Sequence, residues 1–173
     1  MVSVQTLLSE QEFLALPESP GKQELLDGEL IELPPARHSH DELAKRIALL
    51  LATVLGWSRV WIESGYRLGP NRWLTPDVSV SWPDQPIEDD WPQGAPMLAI
   101  EIASRGNTAA ELERKRLQYL AGGAGEVWIV YPETHSMLVS RQDGTVTAVD
   151  PAADYRCELI PVVVTPPYRT PVV

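Results

Sequence analysis

The chain has 173 residues, 44% hydrophobic and 22% charged, a balance that suits a soluble globular protein with room for one substantial core. Its lone cysteine, Cys157, excludes an intramolecular disulfide and any Cys-rich zinc site, which makes a reducing cytoplasm the expected compartment. The formal net charge of −10 opposes nonspecific affinity for nucleic acid, unless acidic side chains hold divalent cations that reverse the local field.

The first residues show no basic region followed by an apolar run, and the longest apolar stretch, Ile47 to Leu55, is about half a membrane span. No membrane association is therefore expected. Val4, Leu7, Leu8, Phe13, Leu14 and Leu16 predict a short helix over Ser3 to Leu16, ended by Pro17-Glu18-Ser19-Pro20-Gly21. Gln23 to Leu33 reads as two extended runs around Asp27-Gly28, a strong hairpin signal. After Pro34-Pro35, Ser39 is expected to cap a helix from His40 to Leu55, with Leu43, Ile47, Leu50, Leu51, Val54 and Leu55 at helical spacing and Gly56 as its stop.

Arg59 to Arg67 and Trp73 to Trp82 are read as strands, the second with Pro76 just before Asp77-Val78-Ser79-Val80. Pro83 to Pro96 is rich in prolines and acids without a period and is expected to be a surface loop. Met97 to Ala103 is a continuous apolar strand with one acid inside it. Thr108 then caps a helix from Ala109 to Ala121, Gly122-Gly123 closes it, and Glu126 to Tyr131 is another buried strand. Asp143-Gly144 marks a second hairpin, and a proline-containing tail runs from Pro161 to Val173. The expected fold class is α/β, a mixed central β-sheet flanked by helices. It is read as a single domain with an N-terminal helix and hairpin (1–35), a core (36–150) and a C-terminal strand and tail (151–173).

Two carboxylates interrupt otherwise apolar strands, Asp77 in TPDVSVSW and Glu101 in MLAIEIAS. A buried carboxylate is costly unless paired or bound to metal, and two on neighbouring strands repel unless a cation lies between them. Mg²⁺ suits such a pair, since it takes one or two carboxylates together with water and phosphate oxygens. The bland alternative puts each acid at a strand end or in solvent, paired to Arg67 or Arg72. On the following helix Lys115 and Tyr119 share a face, with Leu112 three residues before the lysine. Lys115 lies at the margin of the apolar stripe and can snorkel inward, but Arg116 lies nearer its middle, and periodicity does not choose between them.

In these residues the chain resembles the Uma-type restriction endonucleases of the PD-(D/E)XK nuclease superfamily. The likeness runs from Gln23–Leu30 (QELLDGEL) through His40, Pro76-Asp77-Val78, Glu101-Ile102-Ala103-Ser104 and Lys115-Arg116-Leu117-Gln118-Tyr119 to Gly125–Val130 (GEVWIV). It implies a restriction-endonuclease-like core in which Asp77 and Glu101 bind Mg²⁺, or Mn²⁺ in its place, with the Ile102 carbonyl as a further ligand. The superfamily's lysine two residues after the acid is replaced here by Ala103, and the resemblance assigns that role to Lys115. Glu24 and His40 match recurrent family positions near the site. His40 also has a bland reading as a helix-start residue bonded to the local backbone, and Glu24 as a strand acid on the wet face. The implied activity is endonucleolytic cleavage of DNA by a homodimer, two symmetric sites being the simplest way to cut a duplex. The competing reading is a catalytically silent module that keeps the fold for binding or assembly.

The six tryptophans, Trp57, Trp61, Trp73, Trp82, Trp91 and Trp128, are read as core or interface packing in preference to base stacking, with Trp82 and Trp91 as candidates for a dimer contact. No Gly-x-Ser-x-Gly elbow occurs, and Gly122-Gly123-Ala124-Gly125 follows a helix instead of opening one, which argues against serine-hydrolase and phosphate-loop chemistry.

Overall fold

The computed structural model describes residues 7–150 and 152–164. Ser9 opens α1 (Glu10–Leu14) with a capping box to Glu12. This helix is shorter than expected; it buries none of its residues, so no packing extends it, and the first residues of the predicted span lie outside those described. β1 (Lys22–Leu26) and β2 (Glu29–Leu33) form the anticipated hairpin with Leu26 opposite Glu29. Asp27 and Gly28 both take positive φ, 54° and 86°, the mirror-image turn whose twist matches that of paired strands.

α2 (His38–Leu55) starts two residues before the predicted helix. Arg37, not Ser39, is its N-cap, and the Arg37 carbonyl accepts from the Asp41 amide at 3.1 Å. Gly56, at φ 74°, stops it as expected. The two long strands predicted next are each divided in two. β3 (Val60–Ile62) and β4 (Tyr66–Gly69) belong to different sheets, as do β5 (Arg72–Leu74) and β6 (Val78–Val80). Glu63 at φ 51° breaks the first run, and Pro76, which has no N–H for a ladder, breaks the second. The expected loop at 83–96 contains a minimal hairpin, β7 (Ile87–Glu88) and β8 (Trp91–Pro92), turned by Asp89 and Asp90 at φ 49° and 70°.

β9 (Leu98–Ile102), α3 (Ala109–Ala121) and β10 (Glu126–Tyr131) make the predicted crossover, with β9 and β10 parallel and Thr108 capping α3 through Glu111. β11 (Ser136–Arg141) and β12 (Val146–Val149) form the hairpin around Asp143-Gly144, followed by the short strands β13 (Tyr155–Arg156) and β14 (Val163–Val164). The predicted tail beyond residue 164 lies outside the described residues.

Among the described residues, a six-stranded mixed sheet runs β12-β11-β10-β9-β6-β3 and a four-stranded antiparallel sheet runs β2-β1-β5-β4. One face of the larger sheet (Val78, Val80, Leu98, Ile100, Trp128) packs on Leu43, Ile47 and Leu51 of α2 and on Tyr155, Cys157 and Ile160 of the C-terminal segment. Its other face (Ala99, Val127) is covered by Tyr119 of α3 and by Leu26 and Leu74 of the smaller sheet. Burial of each large apolar side chain in these layers stabilises by about 2 kcal/mol. The tryptophans divide: Trp73 and Trp128 are buried, Trp91 packs edge-on against Trp73 with ring centroids 5.0 Å apart, and Trp57, Trp61 and Trp82 are 57%, 46% and 37% exposed. No helix among the described residues is long and apolar enough to cross a membrane.

Candidate active site

Asp77 ends the irregular Thr75-Pro76-Asp77 link into β6, and Glu101 is the penultimate residue of β9. The antiparallel register pairs Val78 with Ile100 and Ser79 with Ala99; continued by one residue, it sets Asp77 opposite Glu101 on the α3 face. Both acids are 4% exposed. The alternative pairing with arginine does not occur, because Arg67 pairs with Glu10 and Arg72 with Asp27.

Asp77 is held from three elements. Its Oδ1 accepts from Lys22 Nζ at 2.8 Å, and its Oδ2 accepts from the Ile102 amide at 2.7 Å and bonds His40 Nε2 at 3.1 Å. Burial opposes its ionisation, but the His40 hydrogen bond and the Lys22 charge outweigh burial and hold its pKa well below the usual carboxylate range. The same hydrogen bond raises the pKa of His40, against partial burial. His40 sits in the first turn of α2, where its amide donates to the Arg37 carbonyl at 2.9 Å, but its side chain bonds Asp77 and not the backbone.

Glu101 meets the helix. Its Oε1 lies 2.8 Å from Lys115 Nζ and accepts from the Tyr119 hydroxyl at 2.7 Å. Lys115 also lies 3.0 Å from Oε1 of Glu24, which accepts the Thr75 amide at 2.9 Å. Glu24 is therefore fully buried and not a wet-face acid. Burial raises the pKa of Glu101, only partly offset by Lys115, while Lys115 is raised because Glu101 and Glu24 outweigh its own desolvation. Their surroundings thus shift Asp77 and Glu101 in opposite directions. Leu112, Lys115 and Tyr119 form the buried line of α3; Arg116, the other candidate, pairs with Glu113 at 2.6 Å.

Lys22 is absent from the residues that the sequence singles out. Its Nζ donates to Asp77 and, at 2.9 Å, to the Thr75 carbonyl. A signal for it exists: it stands two residues before Glu24, and alternation in an extended strand puts the two on one face. The backbone approaches closely there, since a Cβ at Gly21 would overlap the Leu33 carbonyl oxygen.

A cleft of about 1000 Å³ opens onto the two acids, with Lys22, His40, Asp77, Glu101, Ile102 and Arg105 in its lining. Lys115 and Glu24 stand outside that lining, behind Glu101. No group of three His, Cys, Asp or Glu among the described residues could hold a metal. Mg²⁺ asks for less, and two adjacent carboxylates in an open cleft fit its ordinary demand for one or two protein acids plus water.

A sequence model of the Uma2 family, described as "Putative restriction endonuclease", matches residues 10–158. The chain belongs to the Uma2 family. A crystal structure described as a putative nuclease belonging to DUF820 from Anabaena variabilis is similar to it, with a TM-score of 0.79 and 23% identity over 88% of this chain and 90% of that one. That likeness shows the nuclease-like fold. No protein of curated function matches the sequence significantly. In this Uma2 chain the scattered segments of the resemblance converge in two neighbouring sets of ion pairs: Asp77 with His40 of α2 and Lys22 of β1, and Lys115 of α3 with Glu101 of β9 and Glu24 of β1.

Proposed function

We propose that this Uma2 protein is a Mg²⁺-dependent endonuclease, also served by Mn²⁺, that hydrolyses DNA phosphodiester bonds and works as a homodimer. The observation that carries the reading is the facing pair Asp77 and Glu101 on the floor of an open cleft, at the carboxyl end of β9, backed by a buried lysine.

Asp77 and Glu101 would hold the ion. The Ile102 carbonyl is a third candidate, because the Ile102 amide points to Asp77 and an extended residue directs its N–H and C=O to the same side. When bound, the ion polarises the phosphate and acidifies water. The His40 hydrogen bond and the Lys22 charge favour the ionised form of Asp77, the form that takes a cation. Lys115 acts through Glu101: it keeps the carboxylate in place from behind and adds positive potential where the phosphate gains negative charge. Lys22, His40 and Arg105 face the cleft and supply local positive charge that the chain's net charge of −10 lacks.

The test is cleavage of supercoiled plasmid with Mg²⁺ or Mn²⁺, run beside Asp77→Asn and Glu101→Gln. Nicking by the wild type that falls by about a hundredfold or more in both variants is expected; equal nicking by all three proteins defeats the assignment. One observation favours the silent-module reading: both Asp77 oxygens already have partners within the protein. Metal binding decides between the two.

A further inference from the structure

The charges around Asp77 and Glu101 are nearly balanced without any external ion. Lys22 and Lys115 face Asp77, Glu101 and Glu24, and the His40 ring lies against Asp77 as well. The two lysines are held differently. Lys115 is locked, its side chain 3% exposed and wedged between two carboxylates behind the cleft. Lys22 borders the cleft, and its side chain is 14% exposed. It ends a flexible four-carbon stem that can move its ammonium while β1 stays in place.

The two oxygens of Asp77 differ too. Oδ2 has two partners on separate elements, the Ile102 amide and His40, whereas Lys22 is the hydrogen-bond partner of Oδ1. Oδ1 is therefore the oxygen that a cation entering from the cleft can take by displacing a single ammonium, whose other partner is the Thr75 carbonyl. An ammonium and a divalent ion on the same carboxylate oxygen would repel strongly at such separations, so they exclude each other.

We infer that Lys22 is a built-in counter-ion that occupies the cation position on Asp77 in the metal-free protein and is displaced into the cleft when a divalent ion binds. This rests on the metal-dependent reading above and adds a residue that sets how tightly, and at what ion concentration, the site fills. Lys22 is a positioning residue here, acting through Asp77.

Mn²⁺ affinity, measured by titration calorimetry on wild type, Lys22→Met and Lys22→Arg, tests it without reference to activity. Lys22→Met is expected to bind Mn²⁺ at least about tenfold more tightly than wild type, because a competing charge is gone, and Lys22→Arg to stay within about threefold. A purely structural lysine would leave affinity unchanged or weaken it when removed, and either result for Lys22→Met overturns the inference while leaving the metal site standing. No Mn²⁺ binding by any of the three proteins overturns both the inference and the metal-dependent function. Should Lys22→Met fail to fold, reductive methylation of wild type followed by mass spectrometry serves instead. Modification of Lys22 should accelerate about tenfold with saturating Mg²⁺, in line with a released ammonium; an unchanged or slower rate overturns the exchange.

Discussion

Two buried carboxylate clusters sit on the same pair of parallel strands and behave oppositely. Glu101 lies near the carboxyl end of β9, in register with Ile129, on the face covered by α3. Glu126 begins β10, in register with Leu98, on the face covered by α2 and the C-terminal segment. Glu126 is sealed: it accepts from Trp128 Nε1 at 2.8 Å, Arg141 Nε at 3.1 Å, the Tyr155 hydroxyl at 3.0 Å and the Cys157 thiol at 3.5 Å. Glu101 and Asp77 border an open cleft and are balanced largely by lysines. Burial of a carboxylate therefore does not by itself mark a candidate site; access and the nature of its partners distinguish the two clusters. Neutral donors and one arginine make Glu126 a clamp for residues 152–164, whereas the ammonium of Lys22, on a flexible stem at the cleft, can give way to another cation.

The largest effect expected from this contrast is on stability at the open site. Lys115→Met strands Glu24 and Glu101 as neighbouring buried acids, and a loss of about 3–5 kcal/mol is expected at neutral pH in urea denaturation. A smaller loss would mean that Lys115 holds little in place. Loss of cleavage in a Lys115 variant thus needs a folding control.

Glu126→Gln is expected to cost about 2 kcal/mol in the same measurement, since Arg141 keeps Glu158 at 3.3 Å but loses its buried partner. It should leave Mn²⁺ affinity untouched. A change in affinity would show that the two clusters are coupled across the sheet and are not the independent sites contrasted above.

The smallest effect concerns Cys157. Burial and the Glu126 charge push its thiol up to about 11. A raised acid pKa favours the protonated form in the folded chain, so this contribution to stability is complete below the unfolded thiol's pKa and is lost as pH rises through about 11. The folded protein should therefore react with thiol reagents at pH 8 only as fast as it unfolds, and rapid labelling would show that the clamp opens locally.

Much of this architecture is legible in short stretches of sequence. The Asp27-Gly28 and Asp143-Gly144 turns, the Thr108 cap, the Gly56 stop and the β9-α3-β10 crossover depend on backbone preferences and periodicity within a few residues, which sequence records directly. The divided strands and the hairpin at Ile87–Pro92 are not legible in this way, because a long β-rich run does not state where it changes sheets; sheet membership is decided by distant pairing partners.

The same division applies to the site. Sequence alone marks Asp77 and Glu101 as acids out of place in apolar strands, and the family resemblance points to Lys115, Glu24 and His40. Only the tertiary structure decides that Lys22, 55 residues from Asp77, bonds it directly, that Lys115 lies behind the acids, and that Glu126 is sealed. Such facts depend on which strands pair, in what register and on which face, and a charged side chain's role is set by neighbours that the fold brings from far along the chain.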